Sequence, residues 1–117
     1  MNYKLENMTI YSGDYGVWLR KWAEREQNAG KEHYVYFISD EHERVKIGIT
    51  NNVNERLRYL QNGNADLLKI SKVIAVPNRE AAFSLERDMQ ELFWRARLRG
   101  EWYDARMVEK TMENWTI

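Results

Sequence analysis

The alternation of apolar and polar residues predicts two adjoining strands in the middle of the chain. Residues 34–38 form an aromatic and β-branched run, and in 45–49 apolar side chains occupy every second position. The six residues 39–44 between them are polar and typical of a loop. We therefore expect an antiparallel hairpin, although a loop of this length does not fix the register of the two strands.

The apolar period lengthens after residue 50 and predicts a helix over 52–62. Apolar side chains recur there at i, i+4 and i+7, a preceding threonine or asparagine can cap the helix, and Gly63 can end it. Arg56 lies beside the apolar stripe and is expected to point back toward the sheet, whereas Arg58 is expected to point away. The apolar positions of this helix are Val53, Leu57 and Leu60.

Three further elements follow from the same reasoning. Alternation over 68–76 predicts a third strand, which Pro77 ends, and Asn78 can cap a helix that runs to about residue 96. Asp104 can cap a last helix over 105–114. The residues expected to face inward on these two helices are Ala82, Leu85, Met89, Leu92, Phe93, Ala96, Met107, Val108, Met112 and Trp115.

The N-terminal part of the chain predicts one added helix. Apolar side chains recur at i, i+3, i+4 and i+7 within about 14–29, at Tyr15, Trp18, Leu19 and Trp22. The whole pattern predicts an α+β fold, in which helices flank a small three-stranded, mostly antiparallel sheet. We expect a helical extension over 1–32 and the main domain over 33–117.

The composition limits the classes of function. A chain of 117 residues without cysteine has neither disulfides nor a thiolate metal site, and two histidines are too few for a zinc cluster. Any metal must therefore be held by oxygen. No apolar run approaches the roughly 20 residues needed to cross a bilayer, and the N-terminus lacks the pattern of a signal peptide. We expect a cytoplasmic protein of a bacterium or a phage-infected host, without membrane contact.

The overall charge is balanced, but positive charge is locally concentrated. The net charge is zero, with 18 basic and 18 acidic residues, which argues against holding nucleic acid through bulk charge alone. If the chain binds DNA, we expect weak and salt-sensitive binding. The local basic groups are Lys46, Arg56 and Arg58 near the hairpin, and Arg95, Arg97 and Arg99 later in the chain.

Glu86 is a candidate for chemistry because it borders the apolar face of the predicted helix 78–96. A lone carboxylate in that position costs several kcal/mol or becomes protonated, so it needs a partner. Two kinds of partner are open at this point. One is an arginine such as Arg56, and the other is a divalent cation.

Several short motifs, taken in order, resemble the GIY-YIG endonuclease superfamily, and most closely its branch of small phage and mobile-element domains. The family's first motif ends in a tyrosine, as Tyr34-Val35-Tyr36 does, and its second motif matches Lys46-Ile47-Gly48. Arg56 stands at the spacing of the family's arginine, and Gly100-Glu101-Trp102-Tyr103 is similar to the closing motif of the small-domain branch. The resemblance covers about residues 33–104.

Two positions depart from the family pattern. Tyr34 stands where the first motif has glycine, and Lys46 stands where the second usually has tyrosine, although this branch commonly has Lys-Ile-Gly. The family carries its metal-binding glutamate on the helix after the third strand, where Glu86 matches. The second departure leaves the role of Lys46 in catalysis open.

The resemblance implies a metal-dependent endonuclease that cuts DNA in a phage or mobile-element setting. In it, Tyr36 would be the general base, Arg56 would contact the scissile phosphate, and Glu86 would hold one Mg²⁺ or Mn²⁺. Because an ordinary phenol has a pKa of about 10, Tyr36 needs a lowered pKa, and we expect the cation of Lys46 to favour the phenolate. Further candidates for the site or for DNA contact are Gly48, Arg58, Arg97, Arg99 and Glu101.

Two other classes of function remain open. The fold could bind nucleic acid without cutting it, which the missing glycine and the zero net charge favour. The chain could instead be a protein-interaction domain, such as an inhibitor, that uses the aromatic face of Tyr15, Trp18 and Trp22. DNA is the expected partner. RNA, and a second copy or a protein bound through the Trp18 and Trp22 face, are the alternatives.

Overall fold

Six strands form one antiparallel sheet in the computed structural model of this protein, which describes residues 9–12 and 33–113. The strands are β1 (Thr9–Ser12), β2 (His33–Ser39), β3 (Arg44–Thr50), β4 (Lys69–Val76), β5 (Arg97–Arg99) and β6 (Trp102–Asp104). Their order across the sheet is β1-β4-β2-β3-β6-β5. Within the described residues the helices are α1 (Val53–Asn62), α2 (Arg79–Leu92) and α3 (Ala105–Met112), with a short 3₁₀ turn at Trp94–Ala96.

The α+β class is confirmed, but the predicted three-stranded sheet is wrong. The three predicted strands form the centre of the sheet as β4, β2 and β3, and further strands extend it at both edges. β1 pairs with β4 on one side, while β6 and then β5 continue the sheet beyond β3. β5 and β6 have three residues each, too few to display a period of two. Their strand conformation depends on pairing with distant residues, which a local pattern does not reveal.

Side-chain caps begin each of the three helices where the sequence predicts. The Oδ1 atoms of Asn52, Asn78 and Asp104 accept hydrogen bonds from the backbone N–H groups three residues later, at 3.1, 2.8 and 3.1 Å. The end of α2 differs from the prediction, because the helix stops at Leu92 rather than at residue 96. The chain then tightens, and the Ala96 N–H donates to the Phe93 carbonyl at 2.8 Å.

The inward-facing residues of the last two helices are mostly as predicted. Phe93 and Ala96 stay buried in spite of the early helix end, as do Val108 and Met112. Met107 is an exception, since its side chain is exposed rather than packed inward. It follows the Asp104 cap in the first turn of α3, on the side that faces solvent.

Helices cover both faces of the central strands, which explains why β2 is apolar throughout. One face carries Tyr34, Tyr36 and Ile38, which pack in a cluster with Val53 of α1. The other face carries Val35 and Phe37, which belong to the larger cluster under α2 and α3. A strand buried on both faces needs no polar alternation. β2 therefore offers a rigid, water-poor base for any side chain that it positions.

Part of the predicted architecture lies outside the described residues. The N-terminal helix over 14–29, with Tyr15, Trp18 and Trp22, belongs to this part, and so does Trp115. The division of the chain at residue 32 stays a prediction. Within 33–113, no helix combines the length and the apolar character that crossing a membrane requires.

Candidate functional site

The edge of β3 is covered along only half of its length by the strands that the structure describes. β6 pairs with β3 over Arg44 to Lys46, and the ladder ends when the Ile47 N–H donates to the Glu101 carbonyl at 3.1 Å. Gly100, just before, has a φ of +58°, a left-handed conformation that glycine adopts without strain. The tight turn between β5 and β6 thereby brings Glu101 next to the second motif of the chain.

The side chain of Tyr36 on β2 packs directly against Gly48 on the neighbouring strand β3. The two residues are paired across the ladder, and a Cβ atom at position 48 would meet the Tyr36 ring carbon Cζ at 2.6 Å. Tyr36 is only 2% exposed, so the ring has little room to move away. Glycine at position 48 is therefore required by the buried phenol of Tyr36.

The register of the hairpin, which the sequence leaves open, places Lys46 on the same sheet face as Tyr36 and diagonal to it. Lys46 and Gly48 do share the sheet face of Tyr36, because all three stand at positions of the same parity in the ladder. The residue opposite Lys46 is Ile38, however, and not Tyr36. The lysine is therefore a diagonal neighbour of the tyrosine, and its ammonium is free to turn toward Glu101.

Lys46, Glu101 and Glu86 form one charged cluster. The Lys46 Nζ lies 3.2 Å from Glu101 Oε1 and 5.7 Å from the centroid of the Trp102 ring. The carboxyl groups of Glu101 and Glu86 are close enough to share a hydrogen bond. The Glu86 Oε2 atom is buried and has no hydrogen-bond partner in the described part of the chain. Two acidic groups and one cation thus meet where β3, α2 and the β5–β6 turn converge.

The environment makes Glu86 a weaker acid than usual. The pKa of Glu86 is raised to about 6, chiefly by burial and then by the charge of Glu101 and the hydrogen bond with it, while Lys46 acts in the opposite direction. Arg56 was the alternative partner for this carboxylate. Among the ion pairs of the described residues, none joins Arg56 to Glu86, and the basic group that acts on Glu86 is Lys46.

The environment also keeps Tyr36 protonated, contrary to the expectation that Lys46 would favour its phenolate. Burial is the largest cause that raises the pKa of Tyr36 to about 12, followed by the negative charge of Glu101 and, more weakly, that of Glu86. Arg56 is the cation that lowers this pKa. No local pattern indicates that the charges of two carboxylates, rather than that of the lysine, act on the pKa of this phenol.

Arg56 and Arg58 point in different directions, as expected from their positions on α1. Arg58 is exposed, whereas Arg56 is partly buried and lines a cavity of about 290 Å³ at the start of the helix. Its guanidinium carbon Cζ lies 5.9 Å from the centroid of the Tyr59 ring. The charge of Arg56 therefore lowers the pKa of Tyr36, and the same side chain lines a cavity that is open to solvent.

A profile of the T5orf172 domain matches residues 33–116, which is most of the chain. The chain belongs to the T5orf172 domain family. This is a phage-associated domain in the nuclease-related group of GIY-YIG and HNH-like proteins, and the family suggests nucleic-acid binding. Comparisons with curated proteins and with solved structures returned no match.

Arg97 and Arg99 lie on the outer strand of this T5orf172 domain, and both are exposed. The Arg97 Nε donates to the Gly100 carbonyl at 2.8 Å, so this side chain holds the turn that carries Glu101. Arg99 lines a separate cavity together with Trp102. Their contribution to DNA contact stays a prediction, whereas the support that Arg97 gives to the turn is structural.

A second acidic cluster of the T5orf172 domain lies in the loops around Asp40, His42 and Asp66, whose ligand atoms could approach one cation. The oxygens of Asp40 accept from the His42 and Arg44 backbone N–H groups and from the Arg44 side chain. Asp66 accepts from or pairs with His42 Nδ1 at 2.6 Å. Because the acceptors of this cluster are already satisfied, we interpret it as a clasp between two loops.

Proposed function

We propose that this T5orf172 domain hydrolyses phosphodiester bonds of DNA as a GIY-YIG-type endonuclease that requires a divalent metal, in a phage or mobile-element setting. The observation that carries the proposal is the meeting of Glu86, Glu101 and Lys46 beside the contact between Tyr36 and Gly48. Membership of a phage-associated, nuclease-related family supports the same chemistry. Cleavage needs an activated water, charge neutralisation at the phosphate and help for the leaving oxygen.

Glu86 is the residue that would hold Mg²⁺ or Mn²⁺, with Glu101 beside it. The buried Oε2 of Glu86 lacks a partner in the described part of the chain. Burial and then the negative charge of Glu101 raise the pKa of this carboxyl group, and a cation would offset that charge. These ions prefer oxygen ligands, and magnesium usually uses one or two carboxylates. When bound, such an ion stabilises negative charge on the phosphoryl and leaving oxygens.

Arg56 and Lys46 are the two basic side chains that would favour binding of the phosphate. Arg56 presents a planar guanidinium whose donors match phosphate oxygens, and its side chain is partly buried and lines the cavity at the start of α1. Lys46 offsets the charge of the Glu86 and Glu101 pair, so that the carboxylates repel an approaching phosphate less. Both roles depend on charge and direction, which an alanine substitution removes.

Tyr36 would accept the proton of the attacking water at its hydroxyl oxygen, which requires the phenolate. With a pKa of about 12, roughly one molecule in 10⁵ carries the phenolate at pH 7. Two of the causes that raise this pKa are the negative charges of Glu101 and Glu86. Offsetting those charges removes part of the shift, while Arg56 continues to lower the pKa. General-base action by Tyr36 is therefore expected only when the carboxylates are neutralised.

A second function, DNA binding without cleavage, is favoured by the same phenol. A side chain that is 2% exposed and has a pKa of about 12 is also what a packing tyrosine requires. In that case the basic groups would still contact the backbone of DNA, but no substitution at Tyr36 would change a reaction. The two functions therefore make opposite predictions for Tyr36→Phe.

Cleavage of supercoiled plasmid in Mg²⁺ or Mn²⁺ tests the proposal directly. We expect nicking that chelator abolishes and that Tyr36→Phe, Arg56→Ala and Glu86→Ala each reduce by at least about 100-fold, the scale of a lost general base or charge stabiliser. Arg87→Ala is the matched control for Arg56→Ala, and Glu91→Ala is the matched control for Glu86→Ala. Each control removes the same charge as its counterpart, but from an exposed position of α2. The controls should cut like the native chain.

Folding of every variant must be checked by circular dichroism before rates are compared. If the native chain cuts neither DNA nor RNA nor branched substrates, the nuclease proposal fails. It also fails if activity survives Tyr36→Phe and Glu86→Ala in folded protein. Binding of DNA without cleavage, unchanged in Tyr36→Phe, would support the second function instead.

A further inference from the structure

Tyr59 is the most exposed large hydrophobic side chain described in this protein, at 71%. Single exposed aromatic residues are common, so exposure alone carries no conclusion. Tyr59, however, follows Arg56 by one helical turn, and both residues line the cavity of about 290 Å³ at the start of α1. The same Arg56 acts electrostatically on Tyr36. The exposed ring of Tyr59 thus lies next to Arg56, whose charge acts on the candidate site.

The chemistry of the cavity favours a flat, neutral group over a second phosphate. Its lining includes one cation, Arg56, and one anion, Glu55, so it carries no excess positive charge. Asn51 adds an exposed amide that can donate and accept hydrogen bonds. The volume of about 290 Å³ lies just below the usual ligand range of about 300–1,000 Å³, which suits one planar ring rather than a larger ligand.

The ring of Tyr59 remains available for stacking. The Arg56 Cζ is 5.9 Å from its centroid, and most of the side chain faces solvent. Aromatic side chains next to basic groups are the usual platform for the bases of single-stranded or locally unpaired nucleic acid. Such stacking tolerates any base, because every base has a flat face.

We propose that Tyr59 stacks on a nucleobase of the bound strand, next to the phosphate that Arg56 contacts, and that the cavity beside it is a nucleotide subsite. The inference rests on the proposed function, since it assigns the base adjoining the phosphate at that site. Asn51 and Glu55 line the same cavity and meet the edge of the base. The subsite positions an unpaired or distorted strand rather than reading a long sequence.

Equilibrium binding of a fluorescein-labelled DNA strand of mixed sequence, in chelator to prevent cleavage, tests the subsite. We expect Tyr59→Ala to weaken binding at least fivefold, the lower limit for one lost base stack, and Tyr59→Trp to restore it. Phe83→Ala is the matched control, because Phe83 is also exposed and also lies under an arginine, with Arg79 Cζ at 5.0 Å from its ring. Phe83→Ala should bind within twofold of the native chain.

The salt dependence separates a base contact from a phosphate contact. Removing a stacking ring should leave the slope of log affinity against log salt unchanged, whereas Arg56→Ala should reduce that slope by about 1. The subsite is overturned if Tyr59→Ala binds like the native chain, or if Phe83→Ala loses as much affinity. The proposed function survives either result. A native chain that binds no DNA would overturn both.

Discussion

Replacing Gly48 with alanine should destabilise the protein through one contact. A methyl group at this position would lie 2.6 Å from the Tyr36 Cζ and 3.0 Å from its Cε2, and closer still to the hydroxyl oxygen. Favourable contacts between carbon atoms occur at about 3.5–4.0 Å, so the ring would have to move by about 1 Å. The ring is 2% exposed and belongs to the core cluster under α1, which has no room for that movement.

The expected loss of stability follows from two opposing effects. Overpacking of a close-packed core costs about 1–3 kcal/mol. Alanine also restricts the unfolded chain and returns about 0.4–1 kcal/mol where its backbone conformation is acceptable. The midpoints of these two ranges combine to a net loss of about 1.3 kcal/mol in the free energy of unfolding, which lowers Tm by several degrees in a chain of this size.

Urea denaturation followed by circular dichroism measures this loss, with Gly63→Ala as the control. Gly63 has nothing within 4 Å of an added Cβ, so that variant should lie within about 0.5 kcal/mol of the native chain. A double-mutant cycle is completed by introducing Gly48→Ala into the Tyr36→Leu variant, because a leucine side chain is too short to reach the position of the tyrosine Cζ. An equal cost of Gly48→Ala in both backgrounds, or no cost in the native one, would refute the assignment of the clash to Tyr36.

Three other predictions concern charge and backbone. The pKa of Glu86 is raised from 4.5 to about 6 in the folded chain. Between these two pH values the folded chain binds a proton that the unfolded chain has released, so the stability of the fold grows as pH falls through that window. Glu86→Gln should therefore be more stable than the native chain at pH 7, by about 1 kcal/mol after allowing for partial exposure, and inactive in the plasmid assay; lower stability at pH 7 would contradict the stated cause. Gly100→Ala should cost about 1–2 kcal/mol in urea denaturation because of the φ of +58°, and an unchanged midpoint would count against that conformation. Asp104→Ala removes the cap of α3 and should cost about 1 kcal/mol, whereas Asp104→Asn should largely restore it.

Local patterns in the sequence were sufficient for the central hairpin, the third strand and the starts of the helices. Each of these depends on information within a few residues: an aromatic and β-branched run for β2, alternation for β3 and β4, and a capping side chain before α1, α2 and α3. The outer strands were missed for the opposite reason. Arg97–Arg99 and Trp102–Asp104 become strands only by pairing with each other and with β3.

The residues of the candidate site could be predicted from the sequence, whereas their contacts could not. The sequence alone determined which residues to examine, because Tyr36, Lys46, Arg56 and Glu86 stand at ordered spacings, and it determined that Arg56 rather than Arg58 turns toward the sheet. Only the tertiary structure decided what each meets. The register set Gly48 rather than Lys46 opposite Tyr36, and the β5–β6 turn brought Glu101 to Lys46 and Glu86. A pKa depends on burial and on charges distant in the chain, so the direction of the shift at Tyr36 could be known only once the chain was folded.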